Sequence, residues 1–512
     1  MKKTYYLALG VSLMGGLLLS CSSENTNSGE SVQALNLANM DTTIRPQDDF
    51  FGFVNGDWIA KTEIPGDQGR WGSFNELREF NNQAVLDVLE KAMNDDQLSP
   101  DSDQGKAVAF YKIGMDSLLA EKRGVEPLVP TFERIDNIED VPTLQEYLVF
   151  QQQHGGGAFF GTEVSTDLKD SNKMALYISQ GGLGLPDRDY YTEDTEKFKE
   201  IREKYLQHLS NTFKLIGFAD EKAEAASKSV MALETRLAQA SKTKVELRDP
   251  EGRYNKFTIS ELKDISPSLD WELYFTSLGA KVDEVIVSTP KFMEEVEQVL
   301  QEASLDTWRN YLKWHAIEAA SPYLSYKFVK NNFDFFGREL QGTDQIRPRW
   351  KRVLASTENA VGEAVGKLYT EEYFPQEAKD KAKEMVDNIL LAMGERIKRL
   401  DWMSEETKAK ALEKLGTFHV KIGFPDKWKD YSSLAVNGNP ENASYFENVQ
   451  AASSFRFREN LEKLGKPIDK EEWFMTPQTV NAYYNPTWNE IVFPAGILQS
   501  PFYNYKADAA VN

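Results

Sequence analysis

Met385-Val386-Asp387-Asn388-Ile389-Leu390-Leu391-Ala392-Met393-Gly394-Glu395-Arg396-Ile397-Lys398-Arg399-Leu400 sets Met385, Ile389, Ala392, Met393, Ile397 and Leu400 three or four residues apart, with acids and bases between them. That period is the apolar stripe of an amphipathic helix. Outward from it, Val85, Val88, Leu89 and Ala92 repeat the pattern near the start, and Ser404 followed by Glu405 and Glu406 reads as a helix N-cap with favourable first-turn charge. Helical text dominates from about residue 75 to 430. Strand-like text is scarce. Ala175-Leu176-Tyr177-Ile178 is one candidate, and near the end Thr479–Tyr484 and Glu490–Phe493 flank Asn485-Pro486-Thr487-Trp488-Asn489 in the manner of a hairpin. The expectation is a mainly α fold, a large helical domain with β structure confined mainly to the end of the chain.

With 512 residues, 41% of them hydrophobic and 12% aromatic, the chain is rich enough in core formers to bury several domains' worth of interior. Lysine and arginine number 59 against 80 acids, a formal charge of -21 that repels a phosphate backbone, so nucleic acid is excluded as the expected partner. A single cysteine, Cys21, rules out an intrachain disulfide and a cysteine-based zinc site.

The first segment is an address. Met1-Lys2-Lys3-Thr4, a mostly apolar stretch from Tyr5 to Leu19 and then Ser20-Cys21 match the charged, apolar and cleavage regions of a secretory signal. Leu18-Leu19-Ser20-Cys21 resembles a bacterial lipobox, which makes residues 1–20 the signal, Cys21 the lipidated residue and residues 21–40 a Ser/Asn/Glu-rich flexible tether. The expected place is the bacterial cell envelope, with the membrane reached through a lipid anchor.

Familiar catalytic patterns fail one by one. His315-Ala316-Ile317-Glu318 lacks the second histidine an inverted zinc motif needs at position 319, which is alanine. His154-Gly155-Gly156-Gly157 looks like a lipase oxyanion loop, but no Gly-x-Ser-x-Gly elbow accompanies it, so a glycine turn is expected. The four histidines, His154, His208, His315 and His419, are too scattered in sequence to suggest a metal site.

Several segments together resemble the neprilysin and endothelin-converting enzyme family of zinc metallopeptidases. Arg45-Pro46-Gln47-Asp48-Asp49-Phe50-Phe51-Gly52-Phe53-Val54-Asn55-Gly56-Asp57-Trp58 is similar to the family's opening block. Gln180-Gly181-Gly182-Leu183-Gly184-Leu185-Pro186-Asp187-Arg188-Asp189-Tyr190-Tyr191, Arg349-Trp350-Lys351 and Leu400-Asp401-Trp402-Met403 are similar to further signatures. The most specific match is Val480-Asn481-Ala482-Tyr483-Tyr484 through Asn489-Glu490-Ile491-Val492-Phe493-Pro494-Ala495-Gly496-Ile497-Leu498-Gln499. Its order implies a helical shell domain over residues 80–430. Residues 41–79 and 431–512 would be parts of an incomplete thermolysin-like α/β lobe.

The resemblance also implies roles. Asn481 and Ala482 would bond the backbone of an extended peptide lying beside an edge strand, a task that suits an amide able both to donate and to accept. Arg70 and Arg78, with Phe74 between them, would meet the peptide's C-terminal carboxylate and line its pocket; a spacing of eight puts both arginines near one face if the segment is helical. Ile497 and Phe502 would line the pocket for the side chain after the scissile bond. Family members place His-Glu-x-x-His shortly after the Pro-Ala-Gly-Ile-Leu-Gln segment, and the sequence ends at Ala509-Ala510-Val511-Asn512 without it. The expectation is therefore a zinc oligopeptidase acting on short peptides near hydrophobic residues, whose zinc belongs to the full-length family and is not bound by this chain. The alternative is a non-catalytic peptide-binding lipoprotein.

Overall fold

The computed structural model describes residues 36–512, so the expected signal segment, Cys21 and most of the tether lie outside the described residues. Eighteen α-helices and seven strands follow, and the mainly α expectation holds. Among the described residues no helix is long and apolar enough to cross a membrane.

Two hydrophobic cores organise the chain. The larger runs from Ile135 to Phe335 and packs helices against a four-stranded sheet of β1 (Phe160–Asp167), β2 (Asp170–Gln180), β3 (Asn255–Thr258) and β4 (Glu284–Val287), in the order β1-β2-β4-β3. This sheet corrects the expectation that β structure is confined mainly to the end. Only β2 was legible, through Ala175–Ile178. Strands β3 and β4 have four residues each, too few to show a period, and β4 joins β2 in parallel through just Tyr177↔Ile286 and Ile178↔Val287.

At the centre of this core stands Glu234, with no exposed surface. Its Oε2 accepts from the hydroxyls of Tyr191 and Tyr205, each at 2.8 Å, and its Oε1 from Trp314 Nε1 at 3.0 Å. A buried carboxylate is tolerable only when its lone pairs are met in this way. The Gln180–Tyr191 signature serves the same hub: Leu185 N donates to Tyr191 Oη, and a Cβ on Gly184 would stand 2.0 Å from the Tyr205 hydroxyl. The glycine turn is found as expected. His154 caps the helix Val141–Gln153, Gly155 takes φ +84°, and Gly156 N donates to Gln151 O.

The second core gathers Ala84 to Ile113, Val353 to Val386 and Ile422 to Tyr503. Val85, Val88, Leu89 and Ala92 are buried on the helix Ser73–Met93, as their spacing predicts, and the expected domain limit at 79/80 falls within that continuous helix. Ser404 caps the helix Glu405–Gly416 by accepting from Thr407 N. The stripe on the helix Gln376–Arg399 needs a correction: Ala378, Ala382, Val386 and Ile397 are buried, whereas Ile389 and Met393 are 58% and 49% exposed. The spacing located a helix, and its neighbours decided which turns are covered.

The end of the chain forms a three-stranded sheet of β5 (His419–Gly423), β6 (Tyr483–Asn485) and β7 (Glu490–Pro494) in the order β5-β7-β6. The expected hairpin is present, but its first strand starts at Tyr483, leaving Thr479–Ala482 as the approach to it. Two anchors hold it. Lys421 Nζ lies 2.7 Å from Glu490 Oε2, both nearly without exposure, and Trp488 Nε1 donates to Thr166 Oγ1 on β1 at 2.8 Å.

Candidate functional site: an arginine pocket and an edge strand

The helix Ser73–Met93 has two working faces. Leu77, Asn81, Ala84, Val85 and Val88 turn into the core, while Asn75, Arg78, Glu79 and Asn82, spaced i, i+3, i+4, i+7, line a cavity of about 550 Å³. The opposite walls are residues 67–70, with Arg70, and Gln341, Thr343 and Arg347. Gly66 O accepts from Asp344 N at 3.0 Å and from Gln345 N at 2.9 Å, which straps the two loops together. Close approach requires glycine nearby, since a Cβ on Gly69 would stand 2.8 Å from Gln341 O.

Arg70 and Arg78 thus share one pocket, though not through one helix. The helix begins at Ser73 after Gly72, so Arg70 reaches the cavity from a loop and the helical premise of the spacing argument fails. Acidic neighbours are already engaged: Lys351 Nζ stands 3.4 Å from Asp67 Oδ2 and 2.5 Å from Glu79 Oε2. Phe74 and Phe502 are brought together, ring centroids 4.5 Å apart, both partly exposed. Ile497 packs against the second core.

Asn481 is exposed, and its Oδ1 accepts from Ala482 N at 2.9 Å. The pair leads directly into β6, an edge strand with β7 on one side and no strand on the other among the described residues. Beneath it, Tyr483 Oη accepts from Phe474 N, and burial pushes the Tyr483 hydroxyl well above its ordinary value.

A residue that sequence reasoning missed couples pocket and strand. Asn81 Nδ2 donates to Gln478 O and Gly496 O, both at 3.2 Å, and its Oδ1 accepts from the Tyr369 hydroxyl at 3.1 Å. Gly496 must be glycine here, because a Cβ would stand 2.4 Å from Gln478 O. The available signal was an asparagine on the core face of an amphipathic helix, where an unpartnered amide is costly.

The histidines do not converge. His154 stacks on Phe150, and His208 stacks on Phe335 with burial pushing it down to about 4. His315 Nε2 lies 3.3 Å from Glu234 Oε1, and His419 sits on β5. Among the described residues no group of three or more histidine, cysteine, aspartate or glutamate side chains is placed to hold a metal ion. The donor set described therefore does not fit a zinc centre.

Comparison with known proteins gives the same family as the sequence resemblance. Residues 46–425 match the N-terminal model of Peptidase family M13, and residues 481–512 match a second model of that family. Human endothelin-converting enzyme 1 is 32% identical over 503 residues, covering 94% of this chain and 64% of the human protein. Neprilysin-3 of Drosophila melanogaster is 30% identical, covering 93% of this chain and 63% of its own length. The chain thus spans less than two thirds of these relatives. The crystal structure of the zinc metalloprotease ZMP1 of Mycobacterium tuberculosis superposes with a TM-score of 0.86 at 37% identity, over 93% of this chain and 72% of that one. With a family-model match over residues 46–425 and 32% identity to a curated relative along 94% of its length, the chain belongs to peptidase family M13.

Proposed function

We propose that this chain forms the helical shell and the substrate-holding edge of a zinc oligopeptidase that cuts short peptides on the amino side of hydrophobic residues. The observation that carries this reading is the junction through Asn81, which ties the Gln478–Ala482 approach to β6 onto the helix presenting Arg78. An extended peptide beside β6 would meet unpaired backbone groups along the strand edge, with Asn481 as an added donor and acceptor. Arg70 and Arg78 would receive its terminal carboxylate, and Phe74, Phe502 and Ile497 would supply apolar contact. In this reading residues 80–430 restrict access, and residues 41–79 and 431–512 belong to the catalytic lobe. Zinc would be held by the family's His-Glu-x-x-His segment and not by the residues described.

Purified residues 22–512 are expected to hold no stoichiometric zinc and to cleave no peptide; one tightly held zinc per chain with chelator-sensitive hydrolysis would overturn this. In a chain extended by the family's zinc segment, Asn481→Ala should lower kcat/KM several-fold or more, the scale of the neutral amide hydrogen bonds it removes. The envelope location rests on the Leu18–Cys21 motif, and Cys21→Ser should release the protein from membranes; unchanged retention would refute the anchor.

A further inference from the structure

The arginine pocket carries more positive charge than one carboxylate needs. Arg70, Arg78 and Arg347 all line it. Its two acids, Asp67 and Glu79, both close on Lys351, and no carboxylate lies within 4 Å of the three arginines among the described residues. Three arginines thus share the wall with two acids already paired to Lys351, a local excess of positive charge in a chain whose formal charge is -21.

Arg347 is the member that no ion pair among the described residues explains. It is half-buried, and its Nε is buried with no hydrogen-bond partner. The Nε is closed off from the cavity, so an anion there would be met by the terminal guanidinium nitrogens, which no carboxylate approaches within 4 Å among the described residues. Its position compounds the imbalance. Arg347 stands two residues before the helix Arg349–Tyr373, whose first turn holds Arg349, Lys351 and Arg352 and no acid. Cations at a helix N-terminus oppose the macrodipole, where an anion would be favoured. Arg352 shows the crowding: burial first, and then Arg349 and Arg347 beside it, push its guanidinium below the ordinary value. Glu358, farther along the same helix, lies in the field of Arg347 but not within 4 Å of it, so no ion pair closes between them.

We propose that Arg347 makes this pocket a site for two carboxylates of one residue: the α-carboxylate of a peptide's last residue on Arg70 and Arg78, and that residue's own acidic side chain on Arg347. Peptides ending in glutamate or aspartate are then the favoured ligands. This rests on the assignment of Arg70 and Arg78 to the peptide terminus made above. A volume of about 550 Å³ lies within the range of small-ligand sites, and guanidinium forks suit two planar carboxylates.

The test is direct binding to residues 22–512, read by fluorescence polarisation with labelled peptides that are identical except for the last residue: glutamate acid, glutamine acid and glutamine amide. The glutamate peptide should bind about tenfold more tightly than the glutamine acid at low salt, and the preference should shrink as salt rises. Arg347→Gln should bring glutamate and glutamine within twofold while the difference between acid and amide survives. Arg347→Lys should keep part of the preference, and it serves as the variant if Arg347→Gln does not fold. Equal binding of the glutamate and glutamine acids by the unmodified chain, a preference that survives Arg347→Gln, or no measurable binding of any peptide would overturn the proposal. Equal binding of acid and amide would instead sink the role of Arg70 and Arg78, and the comparison of glutamate with glutamine would still judge Arg347.

Discussion

Glu234 and Arg347 are both charged side chains set among packed helices, and the chain treats them in opposite ways. Glu234 is wholly buried, and its oxygens are taken by Tyr191, Tyr205 and Trp314, with His315 beside them. Arg347 stands at a cavity wall with no carboxylate within 4 Å among the described residues. A polar group whose partners all come from its own chain stabilises the fold; one left with unmet capacity at a cavity is available to a ligand. The same division separates the Gln180–Tyr191 signature, which frames the hub, from the Arg70–Arg78 signature, which opens onto the pocket.

The largest effect should come from the hub. Glu234→Ala leaves two hydroxyls and an indole N–H buried without an acceptor, and should cost about 4 kcal/mol in denaturant unfolding. A loss under about 1 kcal/mol would break the comparison, because the hub would then be no more structural than the pocket. Next is the buried pair beneath the hairpin. Lys421→Met strands Glu490, which has no exposed surface, and should cost about 3 kcal/mol, with loss of order at β6 visible in hydrogen exchange. Retained exchange protection at Tyr483–Asn485 would show that the Trp488 anchor alone suffices.

A smaller, pH-dependent effect sharpens the contrast from within the helix Arg349–Tyr373. Burial holds the Glu358 carboxyl at about 7 against an ordinary 4.5, partly offset by Gln478 and Arg347. Between those values the folded chain binds a proton that the unfolded chain has released. The contribution to stability is therefore full below about 4.5 and is lost as pH rises through about 7, a change of roughly 1–3 kcal/mol. Glu358→Gln should flatten that part of the stability curve; an unchanged slope would place its cause elsewhere. The smallest effect on stability should be at the pocket itself. Arg70→Ala and Arg78→Ala, both at exposed positions, should change unfolding free energy by less than about 0.5 kcal/mol while weakening peptide acids and sparing their amides. Equal loss for acids and amides would make these arginines ordinary surface charge.

Much of this was legible from residue order. Val85, Val88, Leu89 and Ala92 announced a buried face, Ser404 a cap, and Ala175–Ile178 a strand, because each signal is local and periodic. The pairing of Arg70 with Arg78 was also visible, although a loop and not a shared helix achieves it. Asn81 and Arg347 were silent. Their meaning lies in partners that sequence distance hides: Asn81 meets backbone carbonyls 397 and 415 residues away, and Arg347 shares a cavity with Arg70 and Arg78.

By itself the sequence determined the helical character of the chain, its family and the identity of the arginine and asparagine candidates, since periodicity, caps and signature order are properties of neighbouring residues. Only the tertiary structure decided the rest. It joined two four-residue strands to β1 and β2 in one sheet, left Ile389 and Met393 uncovered, closed Glu234 inside its own chain and left Arg347 facing a cavity. Those outcomes depend on which distant groups arrive beside a side chain, and burial and hydrogen bonding become defined only once they have arrived.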